Sequence, residues 1–248
     1  LPKVLQFLGI SKKESIIDFT FHNASKVLIT RSIKSMSRTD YTNGTWKTYK
    51  KMNNVKVLLN DKNSDKNYWY EYLEKEKTMY FYFGRVNNQK GQASLKKVIA
   101  RMFDEIDKFS AHKLIIDLRD NRGGNYNKSK PLIDAVKKRT FLNKKGKIYV
   151  ITGRKTFSAA MVTSIFLKKE TNALIVGEPS RGHPNKTDNV EYMNLPNSNL
   201  KIEYTTKVKK HWEELGDSNH VPVDVEIAPN FNDYISGEDS ALNYILRQ

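Results

Sequence analysis

Ser158 follows the segment Gly153-Arg154-Lys155-Thr156-Phe157 and opens a stretch of helical character that runs to Lys169. A serine at the start of a helix sits among unpaired amides and at the positive end of the helix dipole, where negative charge is stabilised. There the amide of Ala159 can face the oxyanion formed when Ser158 attacks a carbonyl. The pair Gly123-Gly124 offers a second amide, because a backbone without Cβ can come close to a reacting group. Two such donors form an oxyanion hole, in which losing one raises the barrier by about 3–4 kcal/mol. A free hydroxyl is a weak nucleophile near neutral pH, so Ser158 needs a base. His183 is the candidate. Each residue also has an ordinary reading: Ser158 as a helix cap, the glycines as a turn, His183 as a loop histidine. Spacing alone leaves both sets open.

These residues lie between elements that would bring them together. Leu114 to Leu118, Ile148 to Thr152 and Ala173 to Val176 are short apolar runs of the kind buried on both faces of a parallel sheet. Helices alternate with them: Leu95, Val98, Ile99, Met102, Phe103 and Ile106 share one face behind a Ser94 cap, and 131–138 turns Leu132, Ile133 and Val136 inward. This alternation predicts βαβ crossovers, with ligands gathering beyond the carboxyl ends of the strands. The loops carrying Gly123-Gly124, Ser158 and His183 follow those three ends. Elsewhere, 16–21 and 27–33 read as a hairpin around Asn23-Ala24-Ser25, and Met79 to Phe83 as a strand. Two strands flank Pro196-Asn197-Ser198-Asn199, and a helix closes the chain from Ser240 to Leu246. The aromatics from Tyr68 to Tyr72 read as a core edge rather than a ligand platform.

The 248 residues suffice for one large domain with a small companion; residues 1–67 are expected to form a mainly β subdomain and 68–248 the catalytic domain. No apolar run reaches the ~18–20 residues that span a bilayer. Absence of cysteine excludes disulfides, thiolate metal sites and cysteine nucleophiles. No metal-ligand spacing, Walker loop or dinucleotide fingerprint occurs, so no cofactor is expected. The formal charge of +16 is spread along the chain in short lysine clusters that match no nucleic-acid motif. A solvated basic surface is the reading, with electrostatic association to an anionic cell envelope as the partner it would favour. Together with the lack of cysteine and a start at Leu1 without a leader, this gives an expectation of an extracytoplasmic protein.

Taken together the three loops resemble the C-terminal processing, or tail-specific, serine peptidase family. The segment from Leu114 to Gly124, reading LIIDLRDNRGG, is similar to the family's IIDLRxNxGG. Thr156-Phe157-Ser158-Ala159-Ala160 is similar to its TxSAx nucleophile turn, and the segment Val176 to Gly182 to its VGEPTxG loop. The resemblance covers 68–248 with order and spacing kept. It implies an α/β fold with a crotonase- and ClpP-like spiral core of ββα and βαβ units. It also implies peptide-bond hydrolysis on peptide or protein substrates, Ser158 as nucleophile, and Ala159 with Gly124 as oxyanion donors, supported by Gly123.

The sequence departs from the family in two places. The family's lysine base falls at His183, and imidazole, with an ordinary pKa near 6.5, can serve as a base. Glu178 and Asp188 are candidate carboxylate partners for it, and Lys186 is an alternative base. The amide that orients the lysine in many relatives is here Thr187. Many relatives also carry a PDZ module, for which residues 1–67 lack the glycine loop that captures a carboxylate.

Overall fold

The computed structural model describes residues 6–10, 15–23, 25–44, 53–185 and 188–248. The chain divides into two compact units, residues 1–52 and 53–248. In the first, β1 (Ile16–His22) and β2 (Leu28–Lys34) pair antiparallel, with Ile17 opposite Ile33 and Phe21 opposite Ile29. Asn23 closes the turn by accepting the amides of Ser25 and Val27 on its side-chain oxygen. A short helix, α1 (Arg38–Asn43), follows; Ser37 caps it by accepting the Asp40 amide.

The second unit is built on a six-stranded sheet. Its strands are β3 (Tyr68–Leu73), β4 (Thr78–Phe83), β5 (Lys113–Asp117), β6 (Ile148–Thr152), β7 (Leu174–Gly177) and the short β10 (Val225–Glu226), in the order β10-β7-β6-β5-β4-β3. Only β3 runs antiparallel to its neighbour. The crossovers are α2 (Leu95–Phe109) between β4 and β5, α3 (Lys130–Lys138) before β6, and α4 (Ala159–Glu170) before β7. Ser94 caps α2 as its position predicts, accepting the Lys97 amide at 3.4 Å. The six apolar residues of α2 are buried. Each removes about 1.5–3 kcal/mol worth of side-chain surface from water.

Helices α2, α3 and α4 cover one face of the sheet, around Phe81, Phe83, Leu114, Ile116, Ile148 and Val150. The other face carries Tyr80, Ile115, Tyr149, Ile151 and Val176, and is covered by α6 (Ser240–Leu246), which follows α5 (Phe231–Ser236). Parallel strands buried on both sides need apolar stretches such as Leu114 to Ile116 in β5 and Ile148 to Ile151 in β6. Trp69 stacks on Tyr82 at 5.9 Å as part of the core, so the aromatic segment 68–72 is an edge strand of the sheet. Beyond β7, β8 (Asp188–Asn194) and β9 (Lys201–Lys207) form a separate antiparallel ribbon. Residues 53–67 join this second unit through contacts such as the 3.1 Å bond from Asn60 Nδ2 to Asp120. Among the described residues no helix is long and apolar enough to cross a membrane.

Candidate active site

Because β5, β6 and β7 are parallel neighbours, their carboxyl ends open on one edge, and the three singled-out loops leave from it. Ser158 stands immediately before α4, exposed, with φ 55° and ψ −125°. A residue with a Cβ rarely adopts that backbone conformation, which costs about 1–3 kcal/mol. Although Ser158 holds the N-cap position, its side chain makes no capping hydrogen bond. Its hydroxyl therefore does not satisfy the end of the helix.

The strain is sustained by bonds around it. Thr156, fully buried, donates its hydroxyl to Leu118 O at 2.8 Å and accepts the Gly153 amide at 3.0 Å. The Phe157 amide donates to Asn121 O at 3.0 Å, and the Arg181 amide to Thr156 O at 2.8 Å. The turn ahead of Ser158 is thus tied both to the loop after β5 and to the loop after β7.

The glycine pair follows from close approach. At Gly123, with φ 105°, an added Cβ would lie 2.8 Å from Ser158 Cβ and 3.2 Å from the Ala159 nitrogen. At Gly124, with φ 143°, it would lie 2.5 Å from Val86 O. Both positions demand glycine. The carbonyl of Gly123 accepts the Val86 amide at 3.1 Å. A trans peptide directs its N–H opposite to its carbonyl, so the Gly124 N–H points away from Val86. Among the described residues neither that N–H nor the one of Ala159 meets an internal acceptor. One free amide thus follows the exposed serine directly, and a second follows the glycine packed against it. Free N–H groups of this kind are what a developing oxyanion requires.

His183 lies exposed on the loop after β7. That loop packs against the nucleophile turn: a Cβ at Gly182 would lie 3.0 Å from the Phe157 ring. Buried Asn185 anchors the far side, accepting the Trp212 amide at 3.0 Å and donating to Trp212 O at 2.7 Å. Among the described residues no hydrogen bond joins Ser158 to His183. The carboxylate of Glu178 accepts Arg154 Nε at 2.7 Å. Asp188 is the first residue of β8; Lys186 and Thr187 fall outside the described residues. Among the described residues no group of three or more His, Asp or Glu is placed to hold a metal ion.

Behind the loops is an ion cluster. Buried Asp117 accepts the backbone amide and Nε of Arg119 at 3.1 and 3.0 Å and the Tyr80 hydroxyl at 2.7 Å. Arg119 Nη1 pairs with Asp239 at 2.9 Å. Burial raises the pKa of Asp117, outweighing the opposing pull of Arg119 and Tyr80. Burial also pushes the Tyr80 hydroxyl well up, with the Asp117 charge adding to it. A cavity of about 480 Å³ adjoins this cluster on the α6 side, lined among others by Arg119, Gly153, Arg154, Glu178 and Asp239. It contains none of Gly123, Gly124, Ser158 or His183, so the exposed edge and not this cavity holds the candidate nucleophile.

Asn121 and Thr156 hold the site together, yet the sequence marks them only as motif letters. Their partners, Phe83, Leu118 and Phe157, are brought to them by the fold.

Residues 128–227 match the model of peptidase family S41. A candidate peptidase from Parabacteroides merdae superposes with a TM-score of 0.57 at 15% identity, covering 84% of this chain and 68% of that one. Mature CPAF in complex with lactacystin gives 0.54 at 11% identity, covering 94% and 66%. A candidate S41 protease from Bacteroides fragilis gives 0.50 at 13%, covering 94% and 65%. The chain spans about two thirds of the length of these structures. They share its mixed α/β architecture with a parallel-rich central sheet. No curated protein sequence matches the chain.

Proposed function

We propose, from the premise that residues 128–227 are a peptidase family S41 segment, that this protein is a serine endopeptidase of the tail-specific type. The observation that carries the reading is the exposed, backbone-strained Ser158, followed by the unclaimed amide of Ala159 and packed against Gly123, whose successor Gly124 carries the second unclaimed amide. His183 takes the proton from Ser158 Oγ as the oxygen attacks a peptide carbonyl. The carbonyl oxygen gains negative charge and is held by the two N–H groups. Collapse breaks the C–N bond, and the amine leaves with the proton from His183. Water, deprotonated by the same imidazole, then hydrolyses the acyl-serine. Docking of the His183 loop on Thr156 and Phe157 supports His183 as the base, with Lys186 as the alternative. An extracytoplasmic setting beside an anionic envelope fits the +16 charge; fractionation of cells would test it.

A serine-directed fluorophosphonate should label the wild-type chain, and peptide mixtures should be cleaved. Ser158→Ala should lose both; equal labelling of that variant would refute the assignment. His183→Gln should lower kcat about 10²-fold or more while Lys186→Met leaves it unchanged, and the reverse pattern would move the base to Lys186.

One observation favours a second reading. With no hydrogen bond between Ser158 and His183, the site also suits a peptide-binding protein that no longer turns over. That reading expects extended peptides to bind without cleavage across the pH range, and activity to appear in His183→Lys.

A further inference from the structure

We infer that Asn121 is the positioning residue of the oxyanion hole, an assignment that rests on the serine peptidase reading above. Its side chain is fully buried and has both of its functions engaged. Nδ2 donates to Phe83 O at the end of β4, at 2.6 Å, and Oδ1 accepts the Gly123 amide at 2.9 Å. Its main chain adds two bonds: the amide donates to Leu118 O at 3.0 Å, and the carbonyl accepts the Phe157 amide at 3.0 Å. One residue therefore connects β4, the loop after β5 and the residue preceding Ser158.

The geometric effect is specific. Asn121 draws the Gly123 N–H inward, and Val86 takes the Gly123 carbonyl. With both ends of Gly123 fixed, the following N–H, that of Gly124, is left facing outward. Through Phe157 the same residue sets the start of the turn that presents the Ala159 N–H. The two donors belong to different crossovers, and Asn121 fixes the distance between them. Oxyanion stabilisation depends on donors held within a few tenths of an ångström of the charge that develops. A loosened Gly123 would blur that placement without touching the nucleophile. Asn121 suits this task because an amide donates and accepts at once. A carboxylate at the same place would keep the acceptor and lose the donor.

The test compares wild type, Asn121→Ala and Asn121→Asp in three measurements: labelling by a fluorophosphonate, steady-state cleavage of a peptide substrate, and affinity for a peptide boronate, whose serine adduct is tetrahedral. Asn121→Ala should lower kcat about 10²–10³-fold with KM within about twofold, and boronate affinity should fall by a similar factor. Asn121→Asp keeps the acceptor for Gly123 but sets a buried carboxylate against Phe83 O with no donor. It should therefore lose at least as much as Asn121→Ala, and kcat within about threefold of wild type in it would overturn the inference. A residue of purely structural importance would lower the unfolding midpoint and leave kcat and boronate affinity unchanged below it. Retention of both within about threefold in Asn121→Ala would overturn the inference. Failure of both variants to fold would also overturn it, since it would make Asn121 a folding residue. A wild-type chain that is neither labelled nor active would instead sink the peptidase reading itself.

Discussion

Gly123 stands so close to Ser158 that a methyl group on it would reach within 2.8 Å of the serine Cβ. The contact is backbone to side-chain root, so no rotamer change can relieve it. Gly123→Ala should therefore displace the Ser158 turn while leaving the sheet intact. A displacement near 1 Å costs roughly 10²-fold in rate. Fluorophosphonate labelling should slow by about that factor with unchanged far-ultraviolet circular dichroism.

Thr156→Val should lower stability by about 1–3 kcal/mol, because it keeps the shape and leaves the Gly153 amide and the Leu118 carbonyl without the hydroxyl. Thr156→Ser should stay within about 1 kcal/mol of wild type. Urea denaturation measures both, and equal midpoints for Val and wild type would show that the hydroxyl bonds contribute nothing.

Asp117→Ala strands Arg119 with Asp239 as its remaining partner. Removing one member of a buried pair costs about 3–5 kcal/mol. Arg119→Met in the Asp117→Ala background should restore part of that loss, as measured by a double-mutant cycle in urea.

Asp120 gives the acid limb of stability a predictable sign. Burial opposes its ionisation, yet the bonds and charges of Lys155, with Asn60 and Arg119, leave its pKa below the ordinary aspartate value. The folded state thus holds the proton less tightly than the unfolded chain. The resulting stabilisation is complete above the unfolded pKa of about 4 and is lost as pH falls through the folded value. Asp120→Asn should flatten the decline of the urea midpoint below about pH 4.5, and an unchanged slope would contradict it.

Much of this architecture could be read from residue order. The run from Ile148 to Thr152 is apolar at every position but the last and forms β6 with those bounds, because strands covered on both sides leave no room for alternation. Ser158 at a helix start was equally legible, since the apolar run behind it has helical length. What could not be read was the use of polar side chains at long range. The bond from Asn121 to Phe83 and that from Asn60 to Asp120 join segments that only the folded sheet makes neighbours. Two strand residues, Val225 and Glu226, were invisible for a different reason: β10 is too short to carry a period.

The central strand β5 is fastened at both of its limits by the same distant segment. At its start Lys113 Nζ donates to Ile245 O, and just past its end Arg119 pairs with Asp239. Synthesis on the ribosome delivers that segment late, long after the strand has emerged. Until then Lys113 lacks the Ile245 carbonyl and Arg119 has Asp117 alone as its carboxylate partner. The last helix is thus the piece that closes the second face of the sheet, and the two ends of β5 are secured only when the chain is nearly complete.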